Sequence, residues 1–161
     1  MKSIKKFLFV MAALAAVWSF VSCSSDDDGP KTVAVYEYVS SFAGASYTEK
    51  ITFFDDGTFE NVATSAYGSF SDSYPVATGT YTGDVTKDTG TDNKVTVTIE
   101  KYAYEEDEKT ILLSIEDYIK ETYGESDETY IKEILKNFKN KSLTIEDGVF
   151  YFNGKAYKLQ K

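Results

Sequence analysis

The chain contains no histidine and no arginine, and Cys23 is its only cysteine. Without histidine, neither a Ser-His-Asp triad nor a Cys-His pair can activate a nucleophile, and no imidazole can help hold a transition metal. Without arginine there is no planar fork for bidentate capture of a carboxylate or phosphate. A lone cysteine makes no intrachain disulfide, so stability must come from a packed core even in an oxidising compartment. All 17 basic residues are lysines, against 26 acidic ones, for a formal net charge of -9. Such a surface repels phosphate backbones, which argues against nucleic acid as a partner. The 161 residues suffice for one ordinary domain.

What is present begins with an address. Lys2, Lys5 and Lys6 form a basic start, and Phe7 to Val21 is apolar except for Ser19. The run is shorter than the roughly 20 apolar residues of a spanning helix and fits the apolar region of a secretory signal. It ends in Phe20-Val21-Ser22-Cys23. Here the chain resembles a bacterial lipoprotein signal, whose lipobox ends in a cysteine that is acylated and becomes the mature N-terminus. Phe20 stands where that box usually has an aliphatic residue. The plainer alternative is an uncleaved signal anchor or a free thiol. The resemblance implies a signal peptide over residues 1–22, lipidation at Cys23, and membrane lipid as the partner that holds the chain. It places the protein in the cell envelope as an outer-membrane lipoprotein. Each buried acyl methylene contributes about 0.8 kcal/mol, so several chains make a durable anchor.

Loss of residues 1–22 would remove three lysines and no acid, taking the net charge to -12. The acyl chains, rather than charge attraction, would then hold the protein to anionic lipid. Residues 23–31 are the acylated cysteine and a tether, since Asp26-Asp27-Asp28-Gly29-Pro30 has no apolar area to bury. Ser24 to Lys31 spans roughly 26–29 Å when fully extended. The acidic triplet resembles the export signal of surface-exposed lipoproteins; a solvated spacer explains it equally well.

Residues 32–161 read as one mainly β domain with a helical insertion at about 114–139. The segment is rich in Tyr, Phe, Val, Ile and Thr, which suit a half-buried pleated surface. Thr32 to Val39 alternates with Ala34, Tyr36 and Tyr38 on one face. Tyr47 to Phe54 sets Tyr47, Ile51 and Phe53 against Thr48, Lys50 and Thr52. Asp55-Asp56-Gly57 then turns into a strand from Thr58 to Ala66. Val76 to Thr82 is a further strand, with Gly79 at a bulge or a close approach. Asp84 to Asn93 reads as a loop, and Lys94 to Tyr102 carries Val95, Val97 and Ile99 inward. Glu105 to Glu108 reads as an acidic break.

The period then changes. Ser114 and Asp117 resemble a capping box, Ile115, Tyr118 and Ile119 fall at helical spacing, and Gly124 is a stop. Asp127 and Glu128 open a second helix with a stripe of Ile131, Ile134, Leu135 and Phe138. Thr110 to Leu113 fits either a short strand or the front of the first helix. Ser142 to Glu146, Val149 to Phe152 and Lys155 to Leu159 return to period two, joined by Asp147-Gly148 and Asn153-Gly154 turns. The expectation is an antiparallel meander of about eight strands, with the helical pair before the last strands. It forms either a closed or partly open barrel, or a more open sheet packed against the helices.

Ile51-Thr-Phe-Phe-Asp-Asp-Gly-Thr-Phe-Glu60, Gly79-Thr-Tyr-Thr-Gly83, Lys94-Val-Thr-Val-Thr-Ile-Glu100 and the closing hairpins resemble the lipocalin-like (calycin) domains of small bacterial lipoproteins. The likeness covers most of residues 32–161 and implies a barrel with an interior ligand. The Gly-x-Trp of the first lipocalin strand is absent, with Tyr36 and Tyr38 standing nearby. The helical pair also precedes the final hairpins, where a lipocalin helix would follow the barrel.

Candidate chemistry is sparse. The Asp55-Asp56 pair is explained by its turn. No Ser-x-x-Lys or Gly-x-Ser-x-Gly stands after the signal, so a Ser/Lys nucleophile has no motif, and no catalytic residue is assigned. The chain reads as a non-enzyme. Asp84, Asp88, Asp92 and Asn93 share a loop without calcium-loop spacing, so a solvated loop is the better reading and no metal or other cofactor is expected. The excess is aromatic: 13 Tyr and 11 Phe. Most belong to a core, since each buries roughly 150–250 Å². Tyr also suits a pocket wall, and Tyr36, Tyr38, Tyr81, Tyr102 and Tyr151 are the candidates for ligand contact. Two functions follow. One is a binding module with a small apolar or amphipathic ligand inside. The other is a filled barrel that docks an envelope or host protein.

Overall fold

The computed structural model describes residues 29–87, 94–107, 109–124 and 128–160. The signal, Cys23 and the Asp26–Asp28 triplet lie outside the described residues, as do Asp88, Asp92, Asn93 and Asp127. The side chains of Glu128 and Phe138 lie outside them too. Among the described residues, no helix is long and apolar enough to cross a membrane.

Nine strands and two helices follow in chain order: β1 (Thr32–Phe42), β2 (Ala45–Phe54), β3 (Thr58–Tyr67), β4 (Phe70–Thr82), β5 (Val95–Glu106), β6 (Lys109–Ser114), α1 (Ile115–Tyr123), α2 (Glu128–Lys139), β7 (Asn140–Leu143), β8 (Val149–Phe152) and β9 (Lys155–Leu159). The strands form one antiparallel sheet in the order β6-β5-β4-β3-β2-β1-β9-β8, with β7 also on β5. The long β5 shares one edge between two partners. Val95 to Thr98 pair with β7, and Lys101 to Glu106 pair with β6. The sheet is not closed: no ladder joins β8 to β7, whose connecting turn carries a single Glu146–Val149 bridge.

The meander and the position of the helical pair match expectation, but the count is nine strands rather than about eight. Two local readings change and one left open is decided. The acidic stretch at 105–108 is no break: β5 runs through Glu106, turns at Asp107 and returns as β6. Thr110 to Leu113 is therefore strand, because Tyr104–Ile111 and Tyr102–Leu113 pairing supplies its hydrogen bonds. The fourth strand starts at Phe70 rather than Val76, paired to β3 from Tyr67 onward. Pro75 is accommodated there because the β3–β4 register shifts between Asn61 and Val62, and a bulge is where a strand tolerates a missing donor.

Local chemistry explains the other boundaries. Asp147-Gly148 and Asn153-Gly154 both have positive φ at both positions, the geometry of a two-residue hairpin turn. Asp56 Oδ1 accepts from both the Thr58 amide and hydroxyl. Asp55 Oδ1 accepts from the Lys31 amide at 2.8 Å while the Asp55 amide donates to Lys31 O, so Lys31 is pinned to the β2–β3 turn instead of belonging to a free tether. Ser114 caps α1 by accepting from the Asp117 amide, and Gly124 ends it at φ 78. Gly79 sits where the β4–β5 register shifts. A Cβ there would lie 2.0 Å from the Thr98 carbonyl oxygen.

The core is built from strand residues at both ends and the middle of the sheet, and the helices pack on it over β5, β6 and β7. Tyr36, Phe53, Phe150, Tyr157, Val95, Ile99 and Ile119 are its centre, and Ile131, Ile134 and Leu135 of α2 pack against it. Phe150 and Tyr157 stack at 5.1 Å, and Tyr36 leans on Phe150 at 4.7 Å. The Tyr36 hydroxyl donates to Val85 O from within this core. That bond fastens the buried start of the loop after β4 to β1.

Candidate functional site

Period-two alternation carries three polar side chains inward with their apolar neighbours. On β2, Glu49 shares a face with Tyr47, Ile51 and Phe53; on β3, Asn61 sits between Phe59 and Ala63; on β9, Lys155 shares a face with Tyr157. Glu49 is 3% exposed and Asn61 is 2% exposed, and apart from tyrosines they are the buried polar side chains among the described residues.

These residues form one hydrogen-bonded cluster. Asn61 Nδ2 donates to Glu49 Oε1 at 2.7 Å. The Tyr47 hydroxyl donates to Glu49 Oε2 at 2.8 Å. The Lys155 ammonium closes on the same Oε2 as an ion pair. It also lies 4.9 Å from the Tyr47 ring centre and 5.5 Å from that of Tyr38, so two ring faces help hold the cation. The Tyr157 hydroxyl is near enough to feel the Glu49 charge but has no partner in hydrogen-bonding geometry.

The electrostatics follow. Burial alone would raise the Glu49 pKa, but donation from Lys155, Asn61 and Tyr47 outweighs it, and the carboxyl is held below its ordinary value. Tyr47 and Tyr157 are pushed well above the ordinary tyrosine value, first by burial and then by the adjacent Glu49. The site therefore holds an ionised carboxylate beside neutral phenols.

Above this polar floor is a cavity of about 220 Å³. Its walls include Ile51, Phe53, Phe59, Ile99, Tyr102 and Phe150, and Glu49, Asn61 and Lys155 line it as well. Of the five tyrosines expected to contact ligand, only Tyr102 lines it. Tyr36 is fully buried with its hydroxyl committed to the backbone. Tyr81 packs on Phe53 at 4.9 Å and donates to Phe54 O, outside the cavity. Tyr38 acts at one remove, through Lys155. Tyr151 is 74% exposed, because period two on β8 turns Phe150 and Phe152 the other way.

The polar floor was absent from the expectations. Its signal was available: Glu49 falls in phase with Tyr47, Ile51 and Phe53, and a charged residue in an inward register needs a partner. The Asp84 carboxylate accepts from the Thr86 amide and hydroxyl and pairs with Lys87, which holds its pKa down to about 2. Among the described residues, no group of three His, Cys, Asp or Glu side chains could hold a metal ion. No family model, curated protein or solved structure matches the chain.

Proposed function

We propose that this chain is a membrane-anchored envelope lipoprotein, acylated at Cys23, that binds a small amphipathic ligand without transforming it. In this reading the coiled sheet is an incompletely closed, lipocalin-like barrel, and the chain is displayed at the outer membrane. The observation that carries the binding role is the cavity itself. Apolar walls and a few convergent polar groups are the usual make-up of a small-molecule site. The non-catalytic reading is supported by the surroundings of Glu49: both its oxygens are engaged by Tyr47, Asn61 and Lys155, which blunts it as a base, and held ionised it is a poor general acid.

Native mass spectrometry of protein purified from its source membrane tests both halves. Acyl mass on Cys23 and a co-purifying small molecule are expected. Ala77→Leu, which pushes a side chain into the cavity, should release the molecule while the acyl mass stays. An unmodified Cys23 would remove the anchor. A ligand retained equally by a folded Ala77→Leu variant would remove the cavity as its site.

A second reading, docking to an envelope or host protein, is favoured by a different region. Residues 38–48 and 61–71 carry no charged side chain in this acidic chain. The two hairpin tips within them expose Phe42 (86%), Tyr67 and Phe70. The matching partner would present an uncharged apolar surface. A photo-crosslinking amino acid at position 42 should then give one discrete protein adduct in cells, with none from position 151. Equal smears from both positions would end this reading.

A further inference from the structure

Two buried polar atoms of the polar floor have no hydrogen-bond partner, the Tyr157 hydroxyl and Asn61 Oδ1, and of these two residues only Asn61 lines the cavity. Both Glu49 oxygens are engaged and its charge is matched by Lys155. The orientation of the Asn61 carboxamide follows from that. Its Nδ2 must face the Glu49 carboxylate, because the reverse would set two acceptors against each other. Asn61 Oδ1 is thereby left buried with no partner, on a residue that lines the cavity. A buried acceptor without a donor costs about 1–3 kcal/mol, so a group that supplies the donor gains from this position.

Size and charge narrow the class. A dry apolar cavity of about 150 Å³ holds benzene; at about 220 Å³ this one holds a ring system with on the order of ten heavy atoms. A long acyl chain is too large. An unpaired ionic head is disfavoured, because the only charges on the floor already neutralise each other and a further ion would lose its water. Phe53, Phe59, Tyr102 and Phe150 offer ring faces and edges to a flat guest.

We propose that the cavity binds a small neutral ring compound that donates one hydrogen bond, from N–H or O–H, to Asn61 Oδ1. This rests on the cavity being the binding site. Tyr102 is the one sequence-expected contact it retains.

Indole and indene test it, being nearly the same shape and differing in the N–H. The full chain, ¹⁵N-labelled in detergent, is titrated with each and read by NMR. Indole should bind at least about tenfold tighter than indene, the value of one well-made hydrogen bond, and should shift the Asn61 side-chain amide resonances. In Asn61→Leu the ratio should fall to about one. If that variant fails to fold, the wild-type ratio and the Asn61 resonances still decide. Equal binding of both probes to wild type overturns the hydrogen-bond assignment while leaving the cavity as a site. Binding of neither probe overturns the cavity reading and the assignment with it.

Discussion

Lys155 on β9 pairs with Glu49 on β2 across 106 residues of sequence, and the carboxylate it meets is almost wholly buried. The pair joins the final hairpin to the middle of the sheet. It is also the floor of the cavity, so the element that fastens the end of the chain shapes the candidate site.

Removing one member should therefore cost more than removing both. Glu49→Gln leaves the Lys155 ammonium without its counter-ion, and because Lys155 is one-third exposed the loss should be about 3 kcal/mol, the low end for a broken buried pair. Glu49→Gln with Lys155→Met should recover part of it. Urea denaturation of the two variants checks this; additive losses would show that the residues are not coupled.

The pH dependence has a defined sign. The folded-state pKa of Glu49 is depressed, so its stabilisation is fully present above the unfolded value of about 4.3. That stabilisation is lost as pH falls through the lower folded value. Other carboxylates titrate in the same range, so the useful quantity is the difference from Glu49→Gln. The stability gap between wild type and that variant should be constant from about pH 6 to 8 and shrink as pH falls below about 4. A gap that widens on acidification would contradict the charge state assigned to this site.

Gly79→Ala should be among the most damaging single-atom additions in the sheet. The new methyl would fall 2.0 Å from the Thr98 carbonyl oxygen and 2.9 Å from the Phe59 ring. Neither the paired strand nor a core aromatic can withdraw cheaply, so about 3 kcal/mol is expected, the upper end for overpacking. A melting temperature within about 2 °C of wild type would mean the strands stand farther apart.

Ser114→Ala removes the side-chain acceptor of the Asp117 amide at the start of α1. A loss of about 1 kcal/mol is expected. Hydrogen exchange should accelerate first in the opening turn of α1, since Ile115 and Ile119 still anchor the helix to the core. Unchanged exchange at Asp117 would show that the cap contributes nothing.

The sequence by itself determined the hairpin turns at 55–57, 147–148 and 153–154, the cap and stop of α1, and the inward face of most strands. Each depends on residues adjacent in the chain: Gly and Asn tolerate positive φ, a Ser reaches the amide three residues on, and alternation is a property of one strand. The Ala43-Gly44 turn and the Phe70 start were not legible, because Ala at positive φ and a Ser-rich strand follow no local preference. Their strands hold them in place through pairing. Only the tertiary structure decided that β5 divides one edge between β6 and β7, that the sheet stays open, and that Tyr102 lines the cavity while Tyr36 and Tyr151 do not. It also decided that Glu49, Asn61 and Lys155 share one floor. Alternation says that a residue points inward; which residue meets it there depends on strand order and register, and these are settled by how the whole sheet coils around its core.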